Sequence, residues 1–166
     1  MKIAGIDLNG PNVTIIPVIR GEETIIFQAN CIADMDEFDL ICPEPTPPSK
    51  IRKGEKISIP LLNDPKYLEK MDKYSGQKID WLVAKSLLAT EGLTWESVDF
   101  TNPETFILYR KELTDSGFSA YQILQLIKGV MDAHGLNEER IQEARTRFLV
   151  TRSEGQQNES SPMAAH

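Results

Sequence analysis

Histidine and cysteine are scarce in this chain: two of each in 166 residues, at His134, His166, Cys31 and Cys42. Histidine is the usual acid–base or metal-ligating side chain, so most such chemistry has few places to reside. His134 stands one residue before Gly135, where a positive charge favours the negative end of a helix; capping is the expected role. The cysteines are eleven positions apart with no C-x-x-C and no neighbouring histidine, so neither a zinc site nor a disulfide framework is expected. Both are expected as buried, reduced thiols. Equally absent are G-x-x-x-x-G-K-[ST], G-x-G-x-x-G and G-x-S-x-G, which removes the common phosphate cradles and the nucleophile elbow. No apolar run approaches the ~18–20 residues that span a bilayer, and the opening MKIAGIDLNG lacks a signal-peptide core. A cytoplasmic protein without membrane contact is the expectation.

Basic residues are missing from one long window. Between Gly21 and Ser49 there are seven acids and no lysine or arginine, while the other 18 acids match the chain's 18 bases. The whole net charge of −7 therefore resides there. Phosphate backbones are bound by clustered Lys and Arg, so this balance argues against nucleic acid and for a solvated acidic surface or a basic protein partner. Within the window, Asp34–Asp39 places carboxylates at alternating positions, but without the central glycine and closing glutamate of a calcium loop. With no nucleophile set beside a base, a non-enzymatic protein without metal or cofactor is expected.

What is present is punctuation. Residues 2–30 read as β: Lys2–Leu8, Val13–Ile19 and Thr24–Ala29, with a hairpin connection at Arg20–Gly21–Glu22. Pro17 cannot donate to a ladder, which places its strand at an edge or a bulge. A short helical turn is expected over Asp34–Leu40, then extended chain through the four prolines Pro43, Pro45, Pro47 and Pro48. That segment is a stiff connector or a ligand for an aromatic groove. Residues 50–60 suit one more strand pair turning at Lys53–Gly54.

Asp64 as cap and Pro65 at the first position open a helix expected over 65–90, unbroken at Ser75–Gly76 and ended by Gly92. Asn102–Pro103 starts the next, which stops at Ser116–Gly117. Ser119 and Gln122 form a capping box, with Phe118 and Ile123 as its staple, and Ile123, Leu126, Ile127 and Val130 make an apolar stripe. Gly135 ends that helix and Asn137 caps another. The expected fold is α+β: a small antiparallel β part over 1–49 with its acidic, proline-rich connector, a mainly helical part of three to four helices over 50–150, and a disordered polar tail over 151–166. Candidate partner-binding residues are Asp36, Glu37, Phe38 and Asp39, the four prolines 43, 45, 47 and 48, and the stripe Ile123, Leu126, Ile127 and Val130.

Three segments together resemble a known group. They are DEFDLICPEPTPP (36–48), WLVAKSLLATEGLTWE (81–96) and the run from Gly117-Phe-Ser through His-Gly-Leu-Asn-Glu-Glu to Ala-Arg-Thr-Arg-Phe148. The combination is similar to small proteins from the virion gene clusters of tailed bacteriophages, of the tail assembly chaperone type, over about residues 1–150. The resemblance implies a soluble, mostly helical protein that coats the tape measure protein, delivers tail tube subunits and leaves before the tail is complete. It also implies a short and a frameshifted long form; a polar tail suits the short one. Homo-oligomers are compatible with it. The N-terminal β part departs from the pattern and leaves open a minor head or tail protein retained in the virion. The acidic segment leaves open an inhibitor of a host protein.

Overall fold

A two-stranded antiparallel hairpin organises the molecule: β3, Val13–Arg20, against β4, Glu23–Asn30. The computed structural model describes residues 2–3, 5–7, 12–51, 54 and 57–158, with the side chains of 148, 149 and 151–158 outside that description. The hairpin turns at Gly21, whose φ of +62° is a conformation glycine adopts without steric penalty. Alternation places Ile16, Val18, Phe27 and Ala29 on one face, all buried, and Val13, Ile15, Ile19 and Ile26 on the other, all exposed. Before it, β1 (Lys2–Ile3) and β2 (Ile6–Asp7) pair with each other about Gly5. The single strand expected over Lys2–Leu8 is thus two short ones, because the left-handed Gly5 reverses the chain; Leu8 lies outside the described residues.

The proline in β3 explains itself through its carbonyl. Pro17 pairs with Ile26, and its carbonyl accepts from Gln125 Nε2 at 2.8 Å, so its backbone polar groups point away from β4. The missing N–H removes nothing from the ladder. Two residues on, the Ile19 carbonyl accepts from Gln122 Nε2 at 2.6 Å. On the opposite edge Thr90 Oγ1 accepts from the Gln28 N–H at 2.8 Å and donates to its carbonyl at 3.1 Å. Side chains of the helical part therefore occupy both edges of the hairpin.

After β4 come α1 (Asp36–Ile41), the extended proline segment, and β5 (Ser49–Ile51) paired with β6 (Ser58–Pro60). Then follow α2 (Pro65–Leu87), a 3₁₀ turn over Pro103–Thr105, α3 (Leu108–Asp115), α4 (Ala120–Ala133) and α5 (Glu138–Asn158). The architecture is α+β as expected, with a small N-terminal antiparallel sheet and a mainly helical C-terminal part. Asp64 caps α2 by accepting from the Tyr67 N–H at 2.9 Å, and the helix passes Gly76 unbroken. It ends at Leu87 rather than at residue 90, because Leu88, Ala89 and Thr90 tighten into turns and Thr90 is committed to β4. Asn102 starts a 3₁₀ turn, not a full helix, and that turn ends at Thr105, three residues before α3 begins at Leu108. The Ser119–Gln122 capping box of α4 is complete in both directions.

Two adjoining clusters make the core. The first joins the inner face of the hairpin to Val83, Leu87, Tyr109, Leu113, Leu126 and Val130. The second gathers Phe38, Tyr74, Trp81, Leu82 and Phe106. Strands this short bury little alone, and here they share one core with the helices. The expected division at 49/50 falls inside the exposed hairpin β5–β6 rather than between two cores. α5 is helical through Asn158, well into the 151–166 stretch expected to be disordered; residues 159–166 lie outside the described residues. Among the described residues no helix is long and apolar enough to cross a membrane.

Candidate protein-binding surface

The apolar stripe of α4 is occupied. Leu126 and Val130 are wholly buried, Ile123 is buried and Ile127 half-buried, all against the chain's own hairpin and helices. Contact is close enough at Gly129 that an added Cβ would sit 2.4 Å from Ile16 Cδ1. The expectation that these four residues receive a partner is corrected on this point. Helical periodicity marks a face that is covered; it does not distinguish cover by the same chain from cover by another.

The acidic segment divides by residue. Phe38 has no exposed surface and points into the second cluster, its ring 5.6 Å from Tyr74 and 5.7 Å from Trp81. It anchors α1 and is unavailable to a partner, again correcting the expectation. Asp36, Glu37 and Asp39 face outward, and Glu37 accepts from Lys85 Nζ at 2.7 Å. Pro43 and Pro48 are exposed while Pro45 and Pro47 are half-buried, so one side of the connector rests on the body. Next to it, Cys42 Sγ lies 3.5 Å from Gln77 Oε1, and Gln77 Nε2 donates to Glu104 at 3.2 Å. Partial burial, with Glu104 adding to it, raises the Cys42 thiol above its ordinary value, which keeps it protonated and poorly nucleophilic. Lys73, 2.8 Å from Glu104, holds that carboxyl below its usual range.

His134 makes a backbone staple. Its Nε2 accepts from the Ile32 N–H at 2.9 Å, and its Nδ1 lies 2.8 Å from the Val130 carbonyl, which it meets as a donor. Accepting on one nitrogen and donating on the other requires the neutral ring, so the expected charged cap is replaced by a tie between α4 and the start of the connector. Among the described residues no group of three His, Cys, Asp or Glu is placed to hold a metal ion.

Among the described residues, two open aliphatic surfaces lie on strands. On the outer face of β3–β4, Ile15 is 55% and Ile19 69% exposed. On the arm formed by β5, β6 and the residues after it, every described residue from Ser49 to Asn63 is exposed, with Ile51 and Ile57 each at 67%. A surface cleft of about 480 Å³ lined by Pro60, Leu61, Leu62, Asn63 and Asp64 lies at its base. The arm also holds Lys50, and its sequence from 50 to 56 carries four bases against one acid. Neither surface was singled out by sequence. A strand of three residues is too short to show a period, and the signal that could have found the arm is the aliphatic run Ile57-Ser-Ile-Pro-Leu-Leu62. No protein-family model, curated protein or solved structure matches the chain.

Proposed function

We propose that the protein is a non-enzymatic, protein-binding assembly factor, acting on tail proteins of a bacteriophage in the manner of a tail assembly chaperone. One observation carries the binding part: the arm presents Ile51, Ile57, Ile59, Leu61 and Leu62 to solvent on a two-stranded hairpin. Such a hairpin is marginal in water by itself, and this many exposed aliphatic side chains on one short arm mark a contact site. The phage assignment rests on the likeness of residues 36–48, 81–96 and 117–148 to that group. A chaperone for long apolar helices needs an aliphatic surface that solvent can reach before the client arrives, and the arm supplies one.

The test is co-expression with the tape measure protein. The wild-type chain is expected to keep that protein soluble and to co-purify with it, and to be abundant in lysate but absent from purified particles by quantitative mass spectrometry. Ile57→Asp combined with Leu62→Asp is expected to abolish capture while the far-ultraviolet circular dichroism stays unchanged. A fixed copy number in the virion would sink the chaperone reading, and capture that survives the double substitution would remove the arm from it.

A further inference from the structure

The two edges of the arm are not alike. The Leu61 N–H donates to the Pro48 carbonyl at 2.7 Å, which makes that pair a hydrogen-bonded one. Counting along the register from it, Lys50 and Ile59 bond to each other, while Ser49 opposite Pro60 and Ile51 opposite Ser58 turn their backbone groups outward. On the β6 side Pro60 has no N–H to offer, which blunts that edge. On the β5 side Ser49 and Ile51 each present an N–H and a carbonyl, and among the described residues no third strand meets them. Both edges of β3–β4, by contrast, are taken by Thr90, Gln122 and Gln125 of the same chain.

We propose that β5 takes an extended, acidic segment of a partner protein as a third, antiparallel strand. The proposal rests on the arm being a protein contact and adds the conformation and charge of what it holds. In strand addition, main-chain hydrogen bonds supply affinity and alternate side chains set the choice of partner. An antiparallel strand that uses both N–H groups and both carbonyls of Ser49 and Ile51 places one residue directly opposite Lys50, in the closer, non-hydrogen-bonded type of pair. Lys50 is exposed, and at such a pair opposite charges attract while like charges repel. This argues against a second copy joined β5 to β5, because the same register sets Lys50 against Lys50. It favours glutamate or aspartate at that position of the partner. The surrounding sequence agrees: residues 50–56 carry four bases against one acid. A nucleic acid would also answer the charge, but residues 49–63 contain no aromatic side chain on which bases could stack. An open strand edge with aliphatic neighbours suits a peptide.

Fluorescence anisotropy of a labelled peptide of four Val-Glu repeats, titrated with the full chain, tests this. Binding is expected, and a peptide of four Val-Lys repeats is expected to bind at least tenfold more weakly. Ile51→Pro removes an outward N–H without touching the β5–β6 ladder, and is expected to weaken binding at least tenfold. Ser58→Pro, its counterpart on the other edge, is expected to leave binding unchanged. Lys50→Glu is expected to weaken the glutamate peptide and strengthen the lysine one. Circular dichroism checks that each variant folds. A second measurement needs no variant: on the unaltered chain, the glutamate peptide N-methylated at each valine is expected not to bind, while N-methylation at each glutamate, whose N–H faces away from β5, is expected to preserve binding. No binding of the glutamate peptide, equal binding of the lysine peptide, or indifference to both Ile51→Pro and valine methylation overturns the proposal. So does a stronger response to single-stranded oligothymidylate or to phosphatidylglycerol vesicles than to the glutamate peptide. Peptide binding that fails while capture of the tape measure protein persists removes strand addition alone. Peptide binding that holds while capture fails supports strand addition and removes the chaperone reading alone.

Discussion

Tyr109 is the residue at which burial acts most strongly on protonation. Its side chain has no exposed surface, and loss of hydration pushes the phenol up to about 12, with Arg110 pulling the other way. A raised pKa means the fold prefers the neutral phenol. The resulting stability is fully present below the ordinary tyrosine value near 10 and is lost as pH rises toward 12. Tyr109→Phe removes that dependence. Between pH 9 and 12 the stability of the wild type relative to Tyr109→Phe is expected to fall by on the order of 2 kcal/mol, read by urea unfolding at each pH. A constant difference across that range would show the phenol to be free to ionise in place. At this scale the sequence was only partly legible. His134 stands at a helix end as expected, yet the Ile32 amide that fixes its neutral state is 102 positions away, beyond the reach of any local rule. The acidic balance of the whole chain likewise hides a basic run in the sequence, Lys50, Arg52, Lys53 and Lys56.

Elements were legible wherever their ends are local chemistry. Asp64 with Pro65, the Ser119–Gln122 box and the left-handed Gly117 and Gly135 each act through groups a few residues away, and each holds in the structure. What covers an element is not local, which is why the α4 stripe was expected to receive a partner and proved to be core. Two helical glycines separate these levels experimentally. Gly76 in α2 has nothing within 4 Å of a prospective Cβ, so Gly76→Ala should stabilise by about 0.5–1 kcal/mol through helix propensity. Gly129 in α4 carries the same propensity gain, but its Cβ would meet Ile16 Cδ1 at 2.4 Å. Overpacking of that kind costs about 1–3 kcal/mol, which outweighs the gain, so Gly129→Ala should destabilise. Thermal unfolding of the two variants should shift in opposite directions. A stabilised Gly129→Ala would show that β3 and α4 are more loosely apposed than the geometry gives.

At the scale of the molecule, the question is whether the two aromatic and aliphatic clusters unfold as one. They share a border: Val98, Phe100 and Met131 pack against both. The hairpin is tied to the helices along each edge, α1 is tied to α2 by Phe38 and by the Glu37–Lys85 pair, and His134 bridges α4 to the connector. Such cross-links leave no line along which one cluster could open without exposing part of the other, so a single cooperative transition is expected. The two tryptophans are placed to test it. Trp81 lies in the second cluster, while Trp95 packs against the first and donates from Nε1 to the Ala84 carbonyl at 3.0 Å. Trp95→Phe leaves Trp81 as the sole tryptophan, and Trp81→Phe leaves Trp95, each read by excitation at the red edge where tyrosine does not absorb. In each variant the fluorescence midpoint in urea should coincide with the circular dichroism midpoint of that same variant, although Trp81→Phe lowers both by more because its side chain is only 1% exposed. Non-coincidence confined to the Trp81 reporter would mean that the second cluster opens first, releasing α1 and the stretch of α2 from Tyr74 to Leu82 that packs in it. The arm would then be mounted on a segment that loosens, and its display of aliphatic surface would depend on that loosening rather than on the fully folded molecule.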